Sequence, residues 1–468
     1  MSSVSQLKPF LEPKSIAVVG ANPNSGEQAF NVVENLAHCG YQGQVYPINP
    51  NYAEILGKKC YPSVKEIPGD VDLAIIVTPR AIVSGIVKQC GEKGIKAAIV
   101  VGQGFSDAAD EEGKRLQQQL VEVARKGGVR ILGPNTVGSA NAFINFSAAF
   151  LKQTDIRKLP VAVVCQSGLF FGTVGRARLL GKGLDLGNSC DIDVAEAMEY
   201  FAEDPQVKVI VLHIEGIRDG KRFREVAQRV VKKKPVLALK TGRTERSARA
   251  AQSHTGSLVG KDEVWDAVFK QCGIIRADNI DELGDLVRTF SYLPTMAGRG
   301  IGVVTASGGI GIMTLDACAK YNLEVVELSP EVKQRLTAMS PVWYKAGNPL
   351  DIWPAIMTSP RPFGETLKIV MTEVLRDPRV NAIVLFAGAW FQGFKPLITD
   401  VIKETADAFP DKPIAWCPYD GWLFNIRSRD LQDKLEEAGR AAVFSIPDDA
   451  VKALSRLADY SELRIRSS

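Results

Sequence analysis

The sequence of 468 residues lacks the patterns that mark several common protein classes. It has three histidines, and its eight cysteines are scattered without a CxxC pair, so we expect no metal site. No apolar run approaches the roughly 20 residues that a membrane-spanning helix needs, and the first 15 residues lack the core of a secretory signal. We therefore predict buried free thiols in a cytoplasmic protein without membrane contact.

Nucleic-acid and dinucleotide signatures are also missing. The net charge is only +4, and "VKKKP" at 231–235 is the one basic block, so we expect no nucleic-acid partner. There is no GxGxxG, because Gly20 is followed by Ala21, Asn22 and Pro23, and the second strand ends in Asn49 rather than in an acid. NAD is therefore disfavoured. Two alternatives remain: this glycine loop binds another phosphate-bearing nucleotide, or it is merely one of the tight turns of the sheet.

The first part of the chain alternates buried strands with helices. The strands are "SIAVVGA", "QVYPINP", "DLAIIVTP", "AAIVVGQGF" and "RILGPN". This alternation predicts a doubly wound parallel sheet, in which ligands bind beyond the carboxyl ends of the strands. The expected binding rim consists of the small and polar residues at those ends: 20–22, 49–51, 78–80, 102–104 and 133–135.

The rest of the chain contains an internal repeat. "IGVVTASGGIGI" echoes "VAVVCQSGLFFG", "GNPLDIW" echoes "GNSCDID", and "DPRVNAIVLFAGA" echoes "DPQVKVIVLHIEG", in the same order. With linkers at 150–160 and 292–300, this pattern predicts an α/β protein of three consecutive doubly wound domains. Their expected bounds are 1–148, 155–290 and 298–468, and the last two are related by duplication.

Two Ser-Gly pairs stand between a buried strand and a helix, one in each copy. Ser167 and Ser307 are N-cap candidates, while Gly168, Gly308 and Gly309 leave the first-turn N–H groups uncovered. Such a helix start can accept a phosphoryl oxygen. The alternative is a capped helix with glycine for close packing. There is no GxxxxGK[ST] sequence, so we do not expect this chain to bind ATP by itself.

His254 lies in the polar stretch "RTERSARAAQSHTGSLVGKDE", which has no counterpart in the second copy. No second histidine is near it in sequence, and no GxSxG elbow exists, so metal binding and a hydrolase triad are disfavoured. A nucleophilic histidine needs a carboxylate to orient its ring. Glu215, after the buried strand "VIVLHI", is the candidate. His213 is either a satisfied edge-of-core residue or part of the same site, and His38 is expected at a helix end.

These motifs together resemble the α subunit of ADP-forming acyl-CoA synthetases, which are relatives of succinyl-CoA synthetase. "SIAVVGA", "ILGPNTVG", "CQSGLFFG", "LHIEGI", "SHTGSLVG" and "TASGGIGI" occur in the expected order and span nearly the whole chain. The resemblance implies the reaction acyl-CoA + ADP + phosphate = carboxylic acid + CoA + ATP, through an acyl phosphate and a phosphohistidine. Acetate is the acid it most commonly implies.

The resemblance also implies roles for individual residues. His254 would carry the phosphoryl group on a mobile loop, with Glu215 on its other ring nitrogen. A Rossmann-like first domain would bind CoA, followed by two flavodoxin-like ligase domains. The implied phosphate-binding residues are Ser167, Gly168, Leu169, Gly256, Ser307, Gly308 and Gly309. The implied CoA-binding residues are Gly20, Ala21, Asn22, Ser25, Asn49, Asn51, Thr78, Pro79, Gly102, Gln103 and Asn135.

The family's ATP-grasp domains are missing from this sequence. The resemblance therefore implies a separate ATP-grasp β subunit, which would provide most of the binding site for ADP or ATP with Mg²⁺. It also implies an α2β2 heterotetramer. The sequence departs from the family pattern in two places. Phe170 and Phe171 stand where relatives often have smaller residues, and they would either narrow the acyl pocket or fill the core. His213 stands where relatives often have a phenolic side chain. The alternative hypotheses are a CoA-binding acyltransferase and a CoA-binding regulatory protein, both without ATP-linked chemistry.

Overall fold

A computed structural model of the chain describes residues 3–26, 31–108, 110–150, 157–176, 179–247, 261–388, 395–418, 435, 439 and 441–467. The chain divides into two units, Met1–Asp278 and Asn279–Ser468. Over the described ranges, the first unit holds two large sheets and a two-stranded hairpin, and the second unit holds one sheet.

The first sheet consists of β1 (Ser15–Val19), β2 (Gln44–Ile48), β5 (Leu73–Ile76), β6 (Ala97–Val100) and β7 (Arg130–Leu132), with a hairpin of β3 (Glu54–Ile55) and β4 (Lys58–Lys59). Its strands are parallel and follow the order β2-β1-β5-β6-β7, so the direction of winding reverses at β1. The accompanying helices are α1 (Ser3–Leu11), α2 (Val32–His38), α3 (Arg80–Lys93) and α4 (Glu111–Gly127). His38 ends α2, as predicted.

Local sequence signals set the helix bounds, as α4 illustrates. The Asp110 carboxylate caps α4 by accepting from the Gly113 N–H at 2.6 Å. Acidic side chains fill the first turn and basic ones the last, which suits the helix dipole. The helix ends at Gly128, whose φ of 64° is left-handed.

The second sheet consists of β8 (Ser139–Asn141), β9 (Phe146–Ser147), β10 (Val161–Cys165), β11 (Lys182–Asp185), β12 (Val209–Ile214), β13 (Val236–Lys240) and β14 (Ile275–Ala277). The strand order is β14-β13-β12-β10-β11-β8-β9. Strands β10 to β14 are parallel, whereas β8 and β9 add an antiparallel edge. This edge precedes the linker predicted at 150–160. The helices are α5 (Gly168–Arg176), α6 (Val194–Glu203), α7 (Gly220–Lys233) and α8 (Asp262–Cys272).

The second sheet has its switch of direction at β10. From β10 the chain crosses through α5 to β11 on one side, and then through α6 to β12 on the other. Because such crossovers are right-handed, α5 and α6 lie on opposite faces of the sheet. The loops that follow β10 and β12 therefore part at the carboxyl edge, which is where open α/β sheets bind ligands.

The second unit has one parallel sheet, formed by β15 (Gly300–Thr305), β16 (Glu324–Val325), β17 (Leu350–Asp351), β18 (Ala382–Phe386), β19 (Ile414–Cys417) and β20 (Ala442–Val443). The order is β16-β15-β18-β19-β20, and β17 pairs with the last residues of β15. The helices are α9 (Ile280–Tyr292), α10 (Gly308–Lys320), α11 (Pro330–Ala338), α12 (Trp353–Thr358), α13 (Phe363–Arg376), α14 (Lys395–Ala408) and α15 (Pro447–Ser467).

The second sheet and the sheet of the second unit repeat one arrangement. Leu212 of β12 lies opposite Val164 of β10, and Leu385 of β18 lies opposite Val304 of β15, in agreement with the sequence repeat. Each copy also has a lysine shortly before the following strand, β13 in the first copy and β19 in the second. The Lys234 ammonium donates to the carbonyls of Phe201 and Asp204, and the Lys412 ammonium donates to those of Leu375 and Asp377.

The middle block of the sequence repeat is out of register. Matching "GNPLDIW" to "GNSCDID" places Asp351 against Asp191, but the structure does not. Asp351 of β17 lies opposite Thr305, and its counterpart opposite Cys165 is Asp185 of β11. The Gly-Asn pair follows β11 in the first copy but precedes β17 in the second. The two similar sequence blocks therefore occupy different positions in the fold.

All eight cysteines are free thiols; seven are buried and Cys39 is partly exposed. Among the described residues, none of the helices has the length and apolar character that crossing a membrane requires. Within the same part of the chain, no cluster of three or more His, Cys, Asp or Glu side chains is placed to hold a metal ion.

Candidate active site

The carboxyl edge of the first sheet brings the predicted CoA-binding residues together. Gly20 has a φ of 85°, and a Cβ there would lie 2.3 Å from the Val77 carbonyl oxygen, so only glycine fits. The Asn49 amide donates to the Ala21 carbonyl at 2.8 Å and ties the ends of β1 and β2. Thr78 lies in the loop between β5 and α3, and its buried Oγ1 has no hydrogen-bond partner among the described residues.

The other predicted residues of this rim follow the same strand ends. Asn22, Ser25, Asn51 and Gln103 are partly or fully exposed. Pro79 occupies the N-cap position of α3, and a Cβ on Gly102 would lie 3.0 Å from the Thr78 carbonyl oxygen. Asn135 has a φ of 59° and donates through its N–H to the Gly102 carbonyl at 2.9 Å. Its Nδ2 donates to Oδ1 of Asn188, in the loop after β11, at 3.5 Å. A glycine turn, a helix start and an orphan hydroxyl at one edge suit a phosphate-bearing ligand such as CoA.

The start of α5 meets the second sheet at a buried carboxylate. A Cβ on Gly168 would lie 2.7 Å from Val137 Cγ1 and 3.5 Å from Asp185 Oδ2, so the helix approaches closely. Asp185 accepts hydrogen bonds from Val137 N at 2.8 Å and Thr136 Oγ1 at 3.0 Å, and burial raises its pKa to about 6. Leu169 is 80% exposed, so its side chain leaves the helix start open to a ligand.

The predicted N-caps are weaker than expected. Ser167 Oγ accepts from the Phe170 N–H only at 3.5 Å. Ser307 is the N-cap residue of α10, as predicted, but its side chain makes no capping hydrogen bond. A Cβ on Gly308 would lie 3.3 Å from Asp351 Oδ2, which matches the Gly168–Asp185 pair of the first unit, while Gly309 is open. Both helix starts therefore stand against an aspartate.

Glu215 follows β12 directly, as predicted, and is buried. Gln166, the residue after β10, accepts from the N–H groups of Glu215 and Gly216 at 2.8 and 3.2 Å. The ammonium of the buried Lys240 donates to the Glu215 carbonyl at 3.0 Å. Burial lowers the pKa of Lys240 to about 8, and the Asp262 carboxylate opposes that shift. The end of β12 is thus held from both neighbouring strands.

The segment that contains His254 follows β13 in the sequence. Lys240 ends β13 and also donates to the Thr241 carbonyl, and its ammonium lies 5.2 Å from the Trp265 ring centroid. Arg243, which precedes the segment, pairs with Asp262 of α8 at 3.3 Å. These contacts join the two ends of the segment. His254 and Gly256 themselves lie outside the described residues.

His213 is more deeply buried than an edge residue, with 4% of its surface exposed. Its ring stacks on Phe170 with centroids 4.4 Å apart, and its Nε2 lies 3.4 Å from Thr241 Oγ1. Its Nδ1 has no hydrogen-bond partner in the described part of the chain, so the histidine is not fully satisfied. Burial lowers its pKa to about 4, so the ring is neutral at pH 7. Phe171 is fully buried and fills core.

Sequence reasoning missed three residues of this arrangement: Gln166, Asp185 and Lys240. Each is a polar residue at or just beyond the carboxyl end of a buried strand, which is the signal that singled out Glu215. The same criterion applied to every strand of the sheet would have included them.

Comparisons with known proteins agree with this architecture. Family models match the CoA binding domain at residues 14–142, the succinyl-CoA ligase like flavodoxin domain at 158–290 and the ligase-CoA domain at 301–415. The chain is 37% identical to subunit alpha of acetate–CoA ligase [ADP-forming] I of Pyrococcus furiosus, over 98% of this chain and 99% of that protein.

Two further proteins are similar over less of their length or at lower identity. The 4-hydroxybutyrate–CoA ligase [ADP-forming] of Nitrosopumilus maritimus is 34% identical over 80% of this chain, which spans 54% of that protein. A dinucleotide-forming acetyl-coenzyme A synthetase 1 of Ca. Korarchaeum cryptofilum, solved in complex with phosphate and ADP, has a TM-score of 0.86 at 30% identity over 98% of both chains.

The matched domains define the class as a CoA-binding ligase. Given 37% identity over nearly all of both sequences, the chain belongs to the family of ADP-forming acyl-CoA synthetases and corresponds to an alpha subunit in length. The family resemblance and the fold class predicted from the sequence are thereby confirmed.

Proposed function

We propose that this chain is the α subunit of an ADP-forming acyl-CoA synthetase, with acetate as the leading acid, and that His254 carries the phosphoryl group. Phosphate attacks the thioester carbon, and the C–S bond breaks to release CoA and an acyl phosphate. A ring nitrogen of His254 then attacks phosphorus, and the acid leaves as its carboxylate. Transfer from the histidine to ADP breaks the P–N bond and forms ATP.

The position of Glu215 is the observation that carries this proposal. Its backbone is held by Gln166 and by Lys240, and Lys240 directly precedes the segment that contains His254. A carboxylate so placed can accept a hydrogen bond from the N–H of the second ring nitrogen and stabilise the positive charge that develops on phosphorylation. Each Ser-Gly helix start, at Ser167-Gly168 in the first unit and at Ser307-Gly308-Gly309 in the second, has the chemistry to hold phosphoryl oxygens, since transfer depends chiefly on positioning and charge.

We assign the remaining ligands by the same reasoning. CoA would bind at the carboxyl edge of the first sheet, where Gly20 and Thr78 lie. ADP or ATP with Mg²⁺ would be held mainly by an ATP-grasp β subunit in an α2β2 assembly. This is supported by the alpha-subunit name of the Pyrococcus furiosus relative and by the missing GxxxxGK[ST] sequence. The eight free thiols support a reducing compartment such as the cytoplasm.

The proposal is tested by labelling. The wild-type chain, given acetyl-CoA and labelled phosphate, should take up acid-labile label, and His254→Asn should take up none. Glu215→Gln should slow labelling by about 100-fold, the lower end of what a positioned acid or base contributes. Glu122→Gln, the same change on the exposed side of α4, is the matched control. Labelled His254→Asn protein would refute the phosphohistidine.

A further inference from the structure

Lys240 is a buried lysine at the carboxyl end of β13, with 2% of its surface exposed. Its ammonium donates to the carbonyl of Glu215, beyond the neighbouring strand β12, at 3.0 Å and to the carbonyl of Thr241. It also faces the ring of Trp265 in α8, 5.2 Å from the ring centroid. Burying an ammonium group is costly even with such partners, and an apolar residue would close this strand end at lower cost.

The internal repeat separates Lys240 from the lysines that serve the fold. Lys234 and Lys412 stand at equivalent places before β13 and β19, and each ammonium donates to two backbone carbonyls. Because this lysine is present in both copies, it belongs to the fold that the copies share. The place of Lys240 is taken by Pro418 in the second copy, since the strand pairings of β13 and β19 align these two residues.

The residues that share hydrogen bonds with Lys240 or with its partner differ between the copies in the same way. Gln166 after β10 and Glu215 after β12 align with Ala306 and Gly388 of the second copy. In the first copy the three polar side chains are joined through the main chain of Glu215. They occur together in the copy whose sequence carries His254, whereas the second copy has no histidine. The set therefore belongs to the site rather than to the fold.

Charged and titratable groups face the Lys240 ammonium from β12, β14 and α8. The carboxylates of Glu215, beyond β12, and of Asp262 in α8 favour the charged ammonium, whereas the guanidinium of Arg276 in β14 opposes it. His213 of β12 is uncharged at pH 7, since burial and the nearby ammonium lower its pKa to about 4. Burial outweighs the two carboxylates and lowers the pKa of Lys240 to about 8. The ammonium is thus charged at pH 7 and loses its proton shortly above it.

We infer that Lys240 is a positioning residue for Glu215, whose main chain its ammonium fixes by a hydrogen bond and whose carboxylate its charge attracts. The inference rests on the proposed function, in which Glu215 orients the histidine that carries the phosphoryl group. Loss of the ammonium proton weakens both the hydrogen bond and the attraction, so Glu215 is held less firmly. Phosphoryl transfer depends chiefly on positioning, so labelling should slow as the pH rises through the pKa of Lys240.

The first test measures the rate of labelling from acetyl-CoA and labelled phosphate, in a single turnover of the full chain, between pH 7 and 9. Lys240→Arg keeps a positive charge over this range, and Lys240→Met has none. Relative to Lys240→Arg, the wild type should lose rate above pH 8, because its own ammonium is deprotonated there. Lys240→Met should be about tenfold slower than the wild type at pH 7, the loss of a hydrogen bond from a charged group.

Lys412→Met is the matched control, since it also removes a lysine that donates to two backbone carbonyls, but in the second copy. It should become labelled at the wild-type rate and with the wild-type dependence on pH. A merely structural lysine would lower the stability of the protein without changing that dependence. A wild-type rate that runs parallel to that of Lys240→Arg over the whole range, or a Lys240→Met rate equal to the wild type, would overturn the inference.

The second test follows the Glu215 carboxyl group by NMR, without any requirement for turnover. In the full chain with isotopically labelled glutamate, the signal of this group is assigned by its loss in Glu215→Gln. We expect the signal to shift between pH 7 and 9 in the wild type, but not in Lys240→Met or Lys240→Arg. A signal that does not shift in the wild type, or that still shifts in Lys240→Met, would contradict the role of Lys240. A wild type that takes up no label would refute the proposed phosphohistidine, while this titration would still decide whether Lys240 positions Glu215.

Discussion

His213 of β12 occupies the place that Phe386 holds on β18 of the second copy, since the residue before each lies opposite an equivalent valine. The histidine stacks on Phe170 as a phenylalanine would, but its Nδ1 is buried without a hydrogen-bond partner among the described residues. The ring therefore provides the packing of an aromatic residue together with the cost of an unsatisfied polar atom.

We predict that His213→Phe stabilises the protein by about 1 kcal/mol at pH 7, because it keeps the stack and removes the orphan nitrogen. The gain should grow as the pH falls from 6.5 towards 4. The folded-state pKa of His213 is about 4, below the ordinary value of 6.5, so over this range the unfolded wild type binds a proton that the folded protein does not. Urea unfolding between pH 7.5 and 4.5 measures the difference, and a difference that is constant with pH would contradict it.

Single residues could be predicted from the sequence only where one local pattern identified them. Glu215 stands out because a charged residue directly follows a buried strand. Gln166 and Lys240 act on Glu215 from β10 and β13, and their roles depend on which strands are neighbours. Strand order is set by the crossover connections, which the local sequence does not specify. The stacking of His213 on Phe170 depends on strand order in the same way.

Among the structural elements, the two Ser-Gly helix starts differ in how tightly they are packed. At Gly168 an added Cβ would lie 2.7 Å from a Val137 side-chain carbon, in addition to Asp185. At Gly308 the nearest atom is a carboxylate oxygen of Asp351 at 3.3 Å, and at Gly309 it is Ser307 Oγ at 3.9 Å. A side chain added at Gly168 would meet packed atoms, while Gly308 and Gly309 leave more space for one.

We predict that Gly168→Ala destabilises the protein by about 1–3 kcal/mol, the usual cost of forcing an extra methyl group into a packed site. Gly308→Ala should cost less, and Gly309→Ala should be neutral or slightly stabilising, because alanine is the better helix former. Thermal unfolding of the three variants gives the order. An equal loss at Gly168 and Gly309 would show that packing does not distinguish the two helix starts.

The pattern of the sequence was sufficient to predict most helices and strands, but not the shortest ones. β8 has three residues and β9 has two, too few for any periodicity, so the antiparallel edge of the second sheet was not predicted. β17 is also two residues long, and the similarity of "GNPLDIW" to "GNSCDID" therefore suggested the wrong register. The blocks that contain long buried strands matched correctly, since Leu212 and Leu385 lie opposite the equivalent residues Val164 and Val304.

For the whole molecule, the proposed reaction divides into steps that the matched domains of this chain would perform and a step that would need a partner. The two units together contain a CoA binding domain and two ligase domains, each matched by a family model. The chemistry that joins phosphate to an acyl group and to His254 would need only these domains and acyl-CoA. Exchange of the phosphoryl group with a nucleotide would need the separate ATP-grasp subunit.

We therefore predict that the chain alone becomes labelled from acetyl-CoA and labelled phosphate, but not from γ-labelled ATP with Mg²⁺. Addition of an ATP-grasp partner should make labelling from ATP appear and should allow ATP to form from ADP, acetyl-CoA and phosphate. His254→Asn with the same partner is the matched control and should abolish both signals. Phosphorylation of the isolated wild-type chain by ATP would contradict the division of labour, because this sequence would then contain a nucleotide site that neither its motifs nor its matched domains supply.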